Sequence, residues 1–570
     1  LRKGDMARNV WRMMRSYWKS EEKWWARGML GVIIFLSLGQ VYMLVLLNQW
    51  YNDFYNALQN YEFSLFWPLI GQFMLVAFVY IIMAVYAVYL RQMLQIKWRT
   101  WMTRQYLRSW MAKQVYYKLQ VLKSDMDNPD QRISEDIDAF INLTLTLFLG
   151  FLKQLTTLLA FVAVLWNLSG ILEIPFGETV VSVPGYMVFM CLIYSIVGTW
   201  LAHKVGYKLI GLNYDQQRFE ADFRFNMVRV RENSESIAFY RGEQPETDGF
   251  EDRFKMVINN FWGLMKRTKL LNFYINGYSQ LAVIFPVLMA APKYFAGEMQ
   301  LGGFMQTLSA FGRVQDALSY FVDAYDSIAK YVAVIRRLSG FTQHMEEVDA
   351  LESKFRRMNN EADALTLTDI EIDLPEGDKL IEQLNLTVNP GEYLLVSGKS
   401  GAGKSTLLRA LAELWPYGSG QIAMPDDWRV MFLPQRPYLP LGTLRQAIYY
   451  PQSVPENDET DIAALLDEFG LSTLRDKLDE VDDWSRILSL GEQQRIAFIR
   501  ILLFKPQLAF LDESTSAMDE ELEARSYDKL KEELPDMAVV SVGHRSSILQ
   551  RHNVILRLID NGAWMIERKD

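Results

Sequence analysis

The stretch Gly398-Lys399-Ser400-Gly401-Ala402-Gly403-Lys404-Ser405-Thr406 decides the fold of the second half of this chain. It fits the pattern G-x-x-x-x-G-K-[ST]. The residues before it, Glu392-Tyr393-Leu394-Leu395-Val396, read as a buried strand, and Thr406-Leu407-Leu408-Arg409-Ala410-Leu411 read as the start of a helix. Strand, glycine loop and helix in that order make a cradle for phosphate. Glycines leave room for backbone N–H groups to wrap an anion, and the helix points its positive end at it. In that setting Lys404 is expected to bridge terminal phosphates and Ser405 to offer its hydroxyl to magnesium. A Gly-rich turn without a ligand needs neither residue.

The chain has 570 residues, enough for several domains. Half of it is hydrophobic and 13% is aromatic, with 16 Trp, which is rich for a soluble protein. The net charge of -9 argues against a nucleic-acid binder. A single cysteine, Cys191, sits in an apolar run and rules out a disulfide within one chain. Residues 1–27 are basic and aromatic, without the uninterrupted apolar core of a cleavable signal.

Those first residues carry Arg2, Lys3, Arg8, Arg12, Arg15, Lys19, Lys23 and Arg27 among Trp11, Met14, Trp18, Trp24 and Trp25. Trp11, Met14 and Trp18 share one helical face, which predicts an elbow helix lying in a membrane interface. Six apolar segments follow, near 28–48, 64–90, 140–166, 184–205, 271–292 and 301–330, the last being the least apolar. Each is close to the roughly 20 residues a bilayer needs. The connections 48–62 and 167–183 hold no Lys or Arg, and 292–300 holds only Lys293. The segments near 91–139 and 206–270 are rich in both. Positive charge marks the cytoplasmic side, so both termini are expected there. The basic segments have helical periodicity and read as spans continuing into the cytoplasm. Tyr116-Tyr117-Lys118-Leu119 and Glu220-Ala221-Asp222-Phe223, near their tips, are expected to dock on another domain.

Ionisable residues inside spans mark functional pathways by default. Lys153 lies midway along the third. Arg313, Asp316, Tyr320 and Asp323 share one face of the sixth, which either lines a polar pathway or holds an i,i+3 pair between Arg313 and Asp316. The expected layout is an elbow at 1–27, a helical membrane domain at 28–340, a solvated connector at 341–364 and an α/β domain at 365–570.

The α/β part carries four more elements. Leu508-Ala509-Phe510-Leu511-Asp512-Glu513 reads as a buried strand ending in two acids. Asp512 suits magnesium and Glu513 suits a general base for an attacking water. Gln435, in Leu433-Pro434-Gln435, is placed to contact the metal and that water. His544, after the β-rich run Ala538-Val539-Val540-Ser541-Val542, is placed to reach a γ-phosphate. Leu488-Ser489-Leu490-Gly491-Glu492-Gln493-Gln494-Arg495 opens a helix whose Ser and Gly suit an anion.

This order of motifs resembles the ATP-binding cassette (ABC) transporters, over the whole chain. It looks like a half-transporter of the exporter-type fold: six transmembrane helices with long cytoplasmic extensions, then an α/β P-loop nucleotide-binding domain. By resemblance, Gly398–Ser405 is Walker A and Asp512 closes Walker B. Glu513 is the catalytic glutamate, Gln435 the Q-loop, Leu488–Gln493 the signature, Ser516-Ala517-Met518-Asp519 the D-loop and His544 the switch histidine. The signature departs from Leu-Ser-Gly-Gly-Gln. Ser489 and Gly491 remain, while Glu492 changes the ribose-side contacts. Leu374 stands where an adenine-stacking aromatic is usual, which implies looser base selectivity. The stretches Asn128–Ile137 and Glu232–Glu243, and the spacing of Trp484 to the signature, look like the subfamily D branch and its bacterial SbmA/BacA-related and YddA-like members. The resemblance implies two such chains forming two composite ATP sites, with magnesium, in a cell or inner membrane, moving a hydrophilic or amphipathic solute such as cobalamin, a peptide or an acyl compound. Its rivals are a lipid or fatty-acyl exporter, an ATP-gated sensor that moves no cargo, and a cassette ATPase acting on nucleic acid. The spans and the acidic second half count against the last.

Overall fold

The computed structural model describes residues 3–122, 129–176, 179–350, 354–359, 363–456, 461–543, 545–559 and 562–569. They form two compact units: Leu1–Ala112 with Asp125–Met345, and Lys113–Ser124 with Glu346–Asp570.

The chain begins with α1 (Lys3–Trp18), α2 (Lys23–Gln59), α3 (Phe63–Met111), α4 (Val115–Leu122), α5 (Pro129–Gln131) and α6 (Ile137–Ser169). A hairpin of β1 (Ile171–Phe176) and β2 (Thr179–Pro184) leads to α7 (Tyr186–Gly206), α8 (Lys208–Glu232) and α9 (Ser234–Tyr240). Then come α10 (Glu243–Phe295), α11 (Leu301–Asp323) and α12 (Tyr325–Asp349). Apart from α4 and the end of α12 beyond Met345, these build the first unit.

Among the described residues, Lys23–Gln59, Phe63–Val121, Pro129–Ser169, Tyr186–Glu232 and Glu243–Phe295 are long and apolar enough to cross a membrane. The sixth expected span, α11, is not, because Gln306, Arg313, Gln315 and Asp316 interrupt it. It packs instead against α2, α6, α7 and α10, with Thr307, Ala310, Phe311, Val314 and Gln315 buried. Packing between helices accommodates the buried Thr307 and Gln315, whereas Arg313 and Asp316 lie on the exposed face of α11. Gly302 allows the close approach of α2: a Cβ there would run into the backbone oxygen of Asn52, and its own N–H donates to Asn56 Oδ1 at 2.8 Å.

Several boundaries differ from the reading of the sequence. The stretch 48–62 is mostly helix rather than loop, because Trp50 stacks on Phe54 at 4.5 Å and its Nε1 donates to Leu69 O at 2.8 Å. The connection 167–183 is largely the β1–β2 hairpin. The expected connector is helical through Asp349 and contributes a strand at Phe355–Asn359. In the second unit's α4, apolar cover comes from Val115 and Leu119, one helical turn apart and both buried, while Tyr116 stays exposed. Phe223 lies within α8 against Phe250 and Phe254 of α10, 6.2 and 5.4 Å away. The bend of that extension is α9, whose Phe239 and Tyr240 are exposed.

The stretch 128–137, apart from Asn128, which lies outside the described residues, holds a single π-turn, Arg132–Asp136. Asp136 is buried and pairs with Arg132 in its own turn. It also accepts a fork from Arg337 of α12, with Nε at 2.9 Å and Nη2 at 2.6 Å. Two guanidinium groups on one buried carboxylate tie α12 to the foot of α6.

The second unit is an α/β domain. Its strands are β3 (Phe355–Asn359), β4 (Leu365–Asp373), β5 (Lys379–Val388), β6 (Tyr393–Gly398), β7 (Gly418–Met424), β8 (Val430–Leu433), β9 (Gly442–Thr443), β10 (Val481–Asp482), β11 (Leu508–Asp512), β12 (Ala538–Val542), β13 (Val554–Leu558) and β14 (Trp564–Arg568). The main sheet has the order β14-β13-β6-β12-β11-β8, parallel from β13 to β8. A smaller sheet, β3-β7-β4-β5, packs beside it. The helices are α13 (Lys404–Leu411), α14 (Leu444–Tyr449), α15 (Ile462–Glu468), α16 (Trp484–Ile487), α17 (Leu490–Phe504), α18 (Glu520–Glu533) and α19 (Ser546–Leu549). Strands β6, β11 and β12 are short runs of buried apolar residues, as parallel strands covered on both faces must be.

A buried polar chain sits under β12. His552 Nδ1 lies 2.8 Å from the carbonyl oxygen of Ile548, which can only accept, so Nδ1 carries the proton. Nε2 then accepts from Ser541 Oγ at 2.8 Å, and Ser541 accepts from the Tyr527 hydroxyl at 3.1 Å. Burial, helped by Lys531 and Lys569, pushes His552 from its ordinary 6.5 down to about 4. The folded state therefore prefers neutral imidazole. That preference is fully present above about pH 6.5 and is lost as pH falls through about 4. The unit should lose about 3 kcal/mol across that window, since each pH unit is worth about 1.4 kcal/mol. Thermal melts of wild type and His552→Gln between pH 7 and pH 4 test this; equal acid slopes in the two would show that His552 is not responsible.

Candidate nucleotide site

The loops singled out in the sequence leave the carboxyl edge of the parallel sheet, where ligands of such sheets bind. The Gly-rich loop follows β6. Gly398, Gly401 and Gly403 take φ values of 150, 86 and 93°, a region that favours glycine. At Gly398 a side chain is also excluded by space, since a Cβ would lie 2.7 Å from Leu558 O. Lys404, the first residue of α13, folds back over the loop and donates to Gly398 O at 2.9 Å and Lys399 O at 2.8 Å. Burial lowers its pKa, while Glu513 and Asp512 act in the opposite sense.

Ser405 Oγ donates to Asp512 Oδ1 at 2.9 Å, joining the loop to the end of β11. The next residue, Glu513, has a left-handed backbone with φ 48°. That conformation is costly for a non-glycine residue and concentrates at functional sites. Its N–H is held by Val542 O at 3.0 Å, and Oε2 accepts from Gln435 Nε2 at 3.0 Å. Hydroxyl, amide and carboxylate oxygens are the hard donors magnesium takes. No cluster of three or more His, Cys, Asp or Glu suited to a metal exists among the described residues. Magnesium does not require one, because it keeps waters and uses one or two carboxylates together with substrate phosphates.

Three residues without a role in the sequence reading hold the site together. Gln494, fully buried on α17, donates to Gln435 O at 2.8 Å and Ser516 Oγ at 3.2 Å and accepts from Ala517 N–H at 2.9 Å. Arg545 donates to Met518 O and Ser516 O, both at 2.6 Å. Glu523 accepts from Thr515 and, at 2.6 Å, from Ser547. The stretch 515–518 is thus fixed to both the Gln435 loop and the segment after β12. Gln494 sat inside the quoted helix opening, flanked by Gln493 and Arg495, and nothing in that polar run singled it out. Arg545 and Glu523 carried no signal either, because their partners are distant in sequence. His544 lies outside the described residues.

Ser489 caps α17. Its N–H and hydroxyl both donate to Glu492 Oε2 at 2.8 Å, and Glu492 N–H returns to Ser489 Oγ at 3.4 Å, a capping box. Gly491 is required by contact: a Cβ there would meet Ala517 O at 2.7 Å. Leu374 is half-buried at the turn after β4, packed on the core of the smaller sheet. Gly403 faces the neighbouring strand, with Leu380 3.3 Å from a Cβ position.

In the first unit Lys153 Nζ donates to Gln40 Oε1 at 2.9 Å, in a cavity of about 560 Å³ that Arg91, Thr146 and Tyr320 also line. Arg313 and Asp316 are exposed, and the Tyr320 hydroxyl donates to Leu147 O at 3.0 Å. The Asp323 side chain lies outside the described part.

A bundle of apolar helices joined to a P-loop sheet with these loops on one edge defines an ATP-hydrolysing membrane transporter. The chain belongs to the ABC transporters: the family described as ABC transporter transmembrane region 2 matches residues 13–295, and that described as ABC transporter matches 381–516. It is 35% identical to the inner membrane ABC transporter ATP-binding protein YddA of Escherichia coli, over 94% of each chain. It is 29% identical to the human lysosomal cobalamin transporter ABCD4, over 84% of this chain and 82% of that one. Its fold is that of a bacterial Atm1-family ABC exporter with ATP bound, at a TM-score of 0.72, 16% identity and 94% coverage of both chains. It is thus an exporter-type half-transporter, close to YddA and to subfamily D members, and its ATP hydrolysis is coupled to transport.

Proposed function

We propose that two copies of this chain form an ATP-driven pump of the inner or plasma membrane, with both termini cytoplasmic. It moves a hydrophilic or amphipathic solute by alternating access. Each site takes ATP on the Gly398–Thr406 loop of one copy, with Lys404 on the terminal phosphates and Leu374 against the base. Ser489, Gly491 and Glu492 of the second copy close the site. The donor set at Ser405, Asp512 and Gln435 fits magnesium, which would supply charge neutralisation at the phosphates. Glu513 takes the proton of the attacking water, Gln435 orients that water, and His544 contacts the γ-phosphate. The observation that carries this reading is the pair of bonds Ser405–Asp512 and Gln435–Glu513, which set metal donors and base side by side at one sheet edge.

The cavity around Gln40, Arg91 and Lys153 supports polar or amphipathic cargo, in the range of cobalamin, peptides and acyl compounds. Reconstitution in proteoliposomes tests the function. ATP should drive accumulation or efflux of at least one solute from a panel of those three classes. Hydrolysis with no flux of any of them would favour an ATP-gated sensor.

A further inference from the structure

Helix α1 presents three separate faces. At 100° per residue, Met13 and Tyr17 fall on one side and are buried. Arg8, Arg12, Arg15 and Lys19 fall together on the opposite side, and all are exposed. Trp11, Met14 and Trp18 fall between them, with Trp11 62% exposed. The buried side is anchored: Tyr17 stacks on Trp98 of α3 at 5.2 Å and 8°, and Trp98 meets Phe140 of α6 edge-on at 6.2 Å. Tyr106 of α3 bonds Thr342 of α12 at 2.9 Å and touches Met13 at 3.9 Å. Next to α1, Trp24 and Trp25 are exposed under cations, Arg27 at 5.5 Å and Lys97 at 5.6 Å.

We infer that the basic stripe of α1 binds the headgroups of anionic phospholipids. The inference rests on the proposed membrane placement of the spans. Residues 8–27 hold six basic side chains, Arg8, Arg12, Arg15, Lys19, Lys23 and Arg27, against two acidic ones, Glu21 and Glu22. Glu22 is already the partner of the Tyr17 hydroxyl at 3.5 Å. Arg8, Arg15 and Lys19 lie on the side of α1 opposite the buried Met13 and Tyr17 and are exposed. A helix held by one face, with a Trp stripe toward the apolar layer and a basic stripe outward, lies in the plane where lipid phosphates are. Because Tyr17 and Met13 brace α3 against α6 and α12, lipid capture on α1 also steadies the foot of the bundle. Depleting anionic lipid should therefore slow ATP turnover.

Spin-labelled phosphatidylglycerol and phosphatidylcholine compete for the purified full chain in detergent, a readout that needs neither transport nor a given topology. Wild type should prefer phosphatidylglycerol by at least about fivefold at low salt, the effect of a single well-placed charge. The triple variant Arg8→Gln, Arg15→Gln, Lys19→Gln should lose most of that preference. The double variant Arg8→Lys, Arg15→Lys should keep it, which separates lost charge from lost folding. An unchanged preference in the glutamine variant overturns the proposal. So does full competition by millimolar glycerol phosphate, which would mark a free-anion site. If lipid preference holds while no solute is pumped, the transport reading alone fails.

Discussion

Replacing Glu513 with Gln should lower ATP turnover by about a thousandfold and leave ATP binding intact, the scale of a lost general base. The substitution is nearly silent structurally. Gln has the same size, tolerates the left-handed backbone as well as Glu does, and can still accept from Gln435 Nε2, now 3.0 Å from Oε2. What it loses is the proton acceptor. The phosphate cradle, Lys404 and the Ser405–Asp512 bond are untouched. Steady-state hydrolysis together with equilibrium binding of a fluorescent ATP analogue separates the two effects. Turnover close to wild type would remove Glu513 from the catalytic role.

Asp136→Ala should be the most damaging single change in the helical unit, costing about 3–5 kcal/mol. It takes from Arg132, whose side chain is 6% exposed, the buried carboxylate it pairs with, and it releases the Arg337 fork from α12. Asp138 gives the contrast two residues on. Its pairing with Arg99, at 3.4 Å, is open to solvent on both sides, at 40% and 38% exposure. Asp138→Ala should therefore cost under about 1 kcal/mol. Thermal unfolding of both variants in the same detergent measures the difference. Equal, small shifts would mean that the buried carboxylate does not anchor α12.

The nucleotide half of the molecule was legible because its chemistry is local. Gly398–Thr406, Leu508–Glu513 and Leu488–Arg495 each carry their backbone requirement and their functional group in one short stretch. The structure places the first two at one sheet edge and ties the third to it through Gln494, which bonds Gln435 O and Ser516 Oγ. The contacts that hold the edge together were not legible. Gln494, Arg545 and Glu523 act on carbonyls and hydroxyls brought close only by folding. In the helical half, apolar runs gave the long spans, with the sixth, α11, too interrupted by polar residues to match the other five in apolarity. Helix ends were misplaced where amphipathic aromatic turns, such as Trp50 and Phe54, continue past the apolar core. The importance of 128–137 was visible as a resemblance, whereas its physical basis, one aspartate shared by two arginines, depends on Arg337, 201 residues away.

On the proposed function, each chain carries both halves of a site and completes it only with a second copy. Ser489 and Glu492 bond to each other within one turn, and Lys404 closes on its own loop. The most direct measurement uses two inactive variants, Lys404→Ala and Ser489→Arg, purified alone and as a co-assembled mixture. In a mixed pair one site combines both defects and the other combines the intact loop with the intact signature. Each variant alone should be inactive, and a random mixture should regain about a quarter of wild-type hydrolysis, as two-fold assembly requires. Full activity of Ser489→Arg alone, or no recovery in pairs confirmed to be mixed, would contradict the account.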